Sequence, residues 1–86
     1  MLLSKAIRLR IIEILDSSNL SAYKLSYNGG ISPSNIRDIL RKKVTEPTLS
    51  TILHICEGAN MTLKDFFDSE LFDGVEAVER KNKNYK

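Results

Sequence analysis

From Pro33 to Arg41 the chain reads Pro-Ser-Asn-Ile-Arg-Asp-Ile-Leu-Arg. At about 100° per residue, Ser34, Arg37, Asp38 and Arg41 fall on one side of a helical wheel, opposite Ile36, Ile39 and Leu40. Short polar groups near the start of that face and arginines further along suit the reading of base edges, with cations around them for phosphate. Taken alone, the same arginines serve equally well as a solvated helix face.

Other chemistry finds little to build on. Cys56 and His54 are the single cysteine and the single histidine, too few ligands for a structural zinc site, and a lone cysteine excludes an intrachain disulfide. Cys56 reads as a small core residue and His54 as a surface or boundary one. Asp65, Asp68, Glu70 and Asp73 lack the spacing of a calcium loop and read as a solvated acidic face. No nucleophile beside a base, phosphate-cradling glycine loop or paired carboxylates can be assembled, so the chain reads as not an enzyme, with no cofactor and no metal. Tyr23 and Tyr27, four apart, fit sugar or phosphate contact and fit partial packing.

The arginine-bearing face needs a scaffold, and local signals supply one made of helices. Leu3, Ile7, Ile11, Ile14 and Leu15 share a stripe over about residues 3–18, a first helix. Leu9 and Ile12 fall outside it, which implies a wider buried face or a second contact surface. Ser21 is a good N-cap for a short second helix that ends at Gly29-Gly30, where glycines permit the positive φ of a sharp reversal. Ile31 plugs the turn into the core. Ser32 then caps a third helix with Pro33 at its first position, where a missing N–H costs nothing. Arg41-Lys42-Lys43 closes it near the favourable end of the helix dipole. A fourth helix spans about Thr48 to Gly58 with Leu49, Ile52, Leu53 and Cys56 as its apolar stripe, stopped by Gly58 or Asn60. Thr62 and Asp65 make a capping-box-like start for a short fifth helix anchored by Leu63, Phe66 and Phe67. Beyond Asp68 the pattern weakens, although Leu71, Phe72, Val75 and Val78 can form an amphipathic turn or two. The second and third helices must pack at a steep angle, with Ser26 as the small residue at their contact and Gly30 in the turn.

At 86 residues, 42% hydrophobic and 28% charged, the chain is one small globular domain. No apolar run approaches the roughly 18–20 residues that cross a bilayer, and Lys5, Arg8, Arg10 and Glu13 interrupt the opening segment, so a cytoplasmic location is expected. The net charge of +2 is small, but its distribution is uneven. Residues 1–60 hold eight Lys/Arg against five Asp/Glu, residues 61–79 one against six, and residues 80–86 four against none.

The run Ser21-Ala22-Tyr23-Lys24-Leu25-Ser26, then Gly30-Ile31-Ser32-Pro33-Ser34-Asn35-Ile36, then Pro47-Thr48-Leu49 and Leu63-Lys64-Asp65-Phe66-Phe67, resembles the Xre family, the Cro and phage-repressor type of helix-turn-helix protein. The resemblance spans roughly residues 5–67. It implies an all-α, five-helix, lambda-repressor-like DNA-binding domain over residues 1–68, whose third helix enters the major groove. Beyond it, the tail over 69–86, with Leu71, Phe72, Val75 and Val78 in its acidic part, is the candidate for a short helix or a dimer contact, or equally a frayed segment, with its end disordered. By position, the family's base contacts fall on Pro33, Ser34 and Asp38, with Arg37 a further candidate on the same face. Arginine can donate bidentately to guanine and Asp can accept from cytosine, whereas Pro33, in place of the usual amide side chain, offers apolar contact such as a thymine methyl. Helix N-termini and the loop after the third helix would anchor phosphates, which nominates Ser21, Ala22, Asn35, Arg41, Lys42 and Lys43. Relatives often carry glycine at the position of Lys42; a left-handed lysine there costs about 1 kcal/mol, so either the cap differs or phosphate contact by its charge offsets the strain.

The expectation is therefore a sequence-specific transcriptional regulator, a repressor, that binds double-stranded DNA as a homodimer and touches no membrane. The rivals are a helix-turn-helix protein-interaction module of the antitoxin or phage-antagonist kind, and a small ligand-sensing or catalytic protein.

Overall fold

A computed structural model describes residues 1–42 and 46–78. Five α-helices follow one another: α1 (Leu3–Ser18), α2 (Ala22–Gly29), α3 (Pro33–Leu40), α4 (Leu49–Gly58) and α5 (Leu63–Phe67), with a 3₁₀ turn at Glu70–Phe72. No strand occurs among the described residues, and none of the described helices is long and apolar enough to cross a membrane.

Local chemistry sets the helix ends. Ser21, Thr48 and Thr62 each accept a hydrogen bond from an amide three residues on, satisfying donors that the first turn leaves open. Thr62 and Asp65 form a complete capping box. Ser32 departs from expectation: its hydroxyl lies 3.0 Å from that of Ser34 and caps no amide. Proline at the first position has already removed one open donor, so α3 depends less on a side-chain cap.

Four helices end at a residue with left-handed backbone: Asn19 (φ 58°), Gly30 (φ 75°), Lys42 (φ 65°) and Asn60 (φ 58°). After α2 the Ile31 amide reaches back to Ser26 O at 3.0 Å and the Gly30 amide to Tyr27 O at 3.3 Å, the paired bonds of a Schellman stop. Leu20 and Met61 repeat the longer bond after α1 and α4. Gly29, by contrast, is still helical and has no positive φ. Its role is different: a Cβ there would collide with the His54 carbonyl, and a Cβ at Gly58 would collide with that of Leu25. Two glycines thus let α2 and α4 pack backbone to backbone, and Gly58 belongs to that crossing while Asn60 makes the stop.

Ile7, Ile11, Ile14, Leu25, Ile36, Ile39, Ile52, Ile55, Cys56 and Phe66 form one buried core. The α4 stripe is rotated from the expected one. Ile55 takes the place of Leu49 and Leu53, which are 61% and 41% exposed, because the glycine crossing fixes which side of α4 faces inward. On α1, Leu9 is half-buried and Ile12 is exposed. Ile31 is half-buried against the core, as its position after the turn predicts.

The chain beyond α5 folds back on its start. Phe72 stacks beside Phe66 and Phe67, with ring centroids 5.9 and 5.0 Å away. Leu2 and Glu76 then form a parallel β-bridge, in which Leu3 N–H donates to Glu76 O and Glu76 N–H to Met1 O, both at 2.9 Å. Phe72 is therefore used within the monomer, whereas Val78 remains exposed. The expected disordered end over residues 79–86 lies outside the described residues.

Candidate nucleic-acid interface

The exposed side of α3 is built by its buried side. Ile36 and Ile39 sink into the core, which turns Ser34, Arg37 and Arg41 outward to solvent and leaves Asp38 half-buried at the edge of the same face. Pro33 is half-buried at the N-terminal end and Asn35 half-buried on the flank. The four base-contact candidates, Pro33, Ser34, Arg37 and Asp38, thus lie on one helix of two turns with Arg41 at its C-cap.

Charge on this face is uncommitted. Two acid–base pairs lie within 4 Å among the described residues, Arg10 with Glu13 and His54, charged only when protonated, with Glu57, and neither involves Arg37, Arg41 or Lys42. Asp38 is likewise outside both. With Arg37, Arg41 and Lys42 exposed and Asp38 half-buried at the edge, the described face is net positive, which suits a polyanion.

The anchoring positions divide unevenly. Ser21 accepts the Lys24 amide at 3.0 Å, so its O–H remains available to donate outward. The Ala22 and Tyr23 amides, in the first turn of α2, have no acceptor among the described residues. Ala22 itself packs its methyl on the core, which leaves only its backbone to meet an anion. At α3 fewer amides are free than expected: Pro33 has none, and the Asn35 amide donates to Ser32 O at 3.0 Å. Ser34 N–H and the side chains of Ser34 and Asn35 remain. Arg41 and Lys42 are exposed at the other end, and Lys43 lies outside the described residues.

Tyr23 and Tyr27 are 64% and 69% exposed, so partial packing accounts for little of either ring. Lys24 belongs with them, although the sequence reading does not single it out: its Nζ lies 5.2 Å from the Tyr27 ring centroid. A cation three residues before an aromatic on a helix is the signal for such a pair.

The other singled-out groups stand apart from this face. His54 donates Nδ1–H to Gly29 O at 2.8 Å, bracing α4 against the end of α2. Cys56 is fully buried, and burial pushes its thiol pKa up. No cluster of three or more His, Cys, Asp or Glu among the described residues is placed to hold a metal ion.

A family model described as the Cro/C1-type HTH DNA-binding domain matches residues 10–70, which contain all of α2 to α5 and most of α1. No curated protein and no solved structure matches the chain.

Proposed function

Because this chain belongs to the Cro/C1-type helix-turn-helix DNA-binding domain family, we propose that it is a sequence-specific transcriptional regulator, acting as a repressor, that reads the major groove with α3. The observation that carries this reading is the outward face of α3. Ser34 and Arg37 stand exposed there beside Asp38, backed by Ile36 and Ile39 in the core, and no ion pair among the described residues consumes the arginines. Arg37 donates to guanine, Asp38 accepts from cytosine, Ser34 accommodates either partner, and Pro33 supplies apolar contact. Ser21 O–H, the Ala22 amide, Asn35, Arg41, Lys42 and Lys43 hold backbone phosphates around them.

Two copies act together in this reading. A single small domain buries little DNA surface, so a symmetric homodimer on half-sites about 34 Å apart supplies the affinity that one domain lacks. In this reading the protein works in the cytoplasm, alongside the DNA it binds.

Selection from random double-stranded oligonucleotides with the purified chain tests the reading. The expected result is an enriched, inverted-repeat site with half-sites one helical turn apart. Recovery of no preferred sequence overturns sequence-specific regulation, and leaves the helix faces to a protein partner.

A further inference from the structure

Two cations that the proposed interface does not use, Lys5 and Arg8, gather in one cleft with one that it does, Lys42. Ser4, Lys5 and Arg8, on the first two turns of α1, line it together with Lys42, and Ile39 and Pro47 form its apolar wall. Its volume is about 270 Å³, room for several waters or a phosphate group with part of its sugar. Among the described residues, three positive charges and no carboxylate line it. Neither ion pair among the described residues involves any of the three. Like charges collected around one cleft without a counter-charge repel one another, and an anion seated between them removes that repulsion.

Two further observations bear on which anion. Lys42 directly follows Arg41, so the cleft continues the exposed cations of α3 around the end of that helix. Lys42 also holds a left-handed backbone, whereas the equivalent positions after α1, α2 and α4 carry Asn or Gly, the types that adopt it at least cost. A lysine kept there fits a use for its charge. The second observation concerns the opposite wall. Lys5 and Arg8 precede the family-matched segment, which begins at residue 10, and their turn of helix is fixed in place by the Leu2 to Glu76 bridge, whose partner follows that segment. Elements outside the family core thus hold two cations beside the end of α3.

The geometry points to a phosphodiester site: Lys5, Arg8 and Lys42 clasp a DNA backbone phosphate on the flank of the base pairs that α3 reads. This rests on the DNA-binding reading above and adds α1 to the surface that touches DNA. The contact carries no base information, so it strengthens all duplexes alike.

The test uses the whole chain and measures affinity for the selected duplex and for a scrambled duplex as salt rises from about 50 to 200 mM. Each phosphate contact contributes about 0.9 to the log–log salt slope. Because the three cations share one phosphate, Lys5→Gln with Arg8→Gln should lower the slope by up to about 0.9, so that the wild type loses up to about 3.5-fold more affinity than the variant over that salt range. The ratio between selected and scrambled duplex should not change. Lys5→Gln alone, at an exposed position, should lower the slope in the same direction by a smaller amount and guards against a folding defect in the double variant. Duplex binding with an unaltered slope in both variants overturns the site and leaves α3 recognition standing. A wild type that binds no duplex at all overturns the DNA reading itself. Titration with inorganic phosphate separates the remaining source: saturation of the Lys5 and Arg8 amide shifts, with the duplex slope insensitive to both substitutions, makes this a free-phosphate site and overturns the backbone contact.

Discussion

The backbone of Gly29 lies directly against the carbonyl of His54, with no space between them for a methyl group, and the His54 ring returns across the junction to donate to Gly29 O at 2.8 Å. Gly58 repeats the arrangement against Leu25. This crossing orients α2, and through the following turn it orients α3. Gly29→Ala should destabilise the fold by about 3 kcal/mol, at the upper end of overpacking costs because the obstacle is backbone and cannot rotate away. Gly30→Ala, which has open space but a φ of 75°, should cost only about 1 kcal/mol. Urea unfolding of the two variants checks the order, and a larger loss for Gly30→Ala contradicts it.

How much of this was legible beforehand follows from the range of the forces involved. Caps and stops act within one turn, and the bounds of α1 to α5 follow from Ser21, Pro33, Thr48, Thr62 and the left-handed Asn19, Gly30 and Asn60. The outward side of α3 was legible for the same reason: its polar and apolar residues separate cleanly on one short helix. The inward side of α4 was not. Leu49, Ile52, Leu53, Ile55 and Cys56 are apolar over most of the wheel, and only the contact of Gly58 with a distant helix decides that Ile55 goes in and Leu49 stays out. The partners of Arg10 and the cation cleft also depend on residues more than 30 positions apart, which no local pattern encodes.

Arg10 illustrates such a long-range debt. Its Nε donates to Phe66 O at 2.7 Å and its Nη2 to Asp65 O at 2.8 Å, so one guanidinium closes the C-terminal end of α5 onto α1. Bonds from a charged donor contribute about 1.5–3 kcal/mol. Arg10→Met should lower stability by about 2 kcal/mol. Arg10→Lys should recover less than half of that, because an ammonium does not reproduce the fork that spans two carbonyls. Thermal melts of both variants decide it, and full rescue by lysine would count against the two-carbonyl role.

Cys56 gives the protein a pH dependence of known sign. Burial raises its thiol pKa, opposed in part by the nearby Arg10 charge. The unfolded thiol ionises near its ordinary value of about 8.5 and the folded one at higher pH. Above that pH the folded state binds more protons than the unfolded state, so stability falls as pH rises; well below it the thiol contributes nothing. Cys56→Ala should flatten the stability slope between about pH 8 and 10, apart from a constant loss for the smaller side chain. Denaturant midpoints across that range provide the comparison, and parallel slopes would remove Cys56 from the account.

Reversing the charge of the α3 face tests its use without touching the core. Arg37 and Arg41 are exposed and belong to neither ion pair among the described residues, so Arg37→Glu with Arg41→Glu should leave the helical circular-dichroism signal intact. Duplex binding should fall at least a hundredfold, since two attractive contacts with the polyanion become repulsive ones, each worth at least about 1.4 kcal/mol. Retention of wild-type affinity by a folded variant would move recognition to another surface.

Lys42 sets stability against binding at a single position. Its φ of 65° costs about 1 kcal/mol with a lysine and almost nothing with a glycine. Lys42→Gly should therefore raise the unfolding free energy by up to about 1 kcal/mol, less a few tenths for the freer unfolded chain. If the lysine is retained for its charge, the same change should weaken binding to every duplex equally and reduce the salt slope by up to about 0.9. The two measurements, urea unfolding and salt-dependent anisotropy, move in opposite directions only if strain and charge are coupled at this residue. A variant that gains stability with an unchanged slope would mean that the strain supports no contact with DNA.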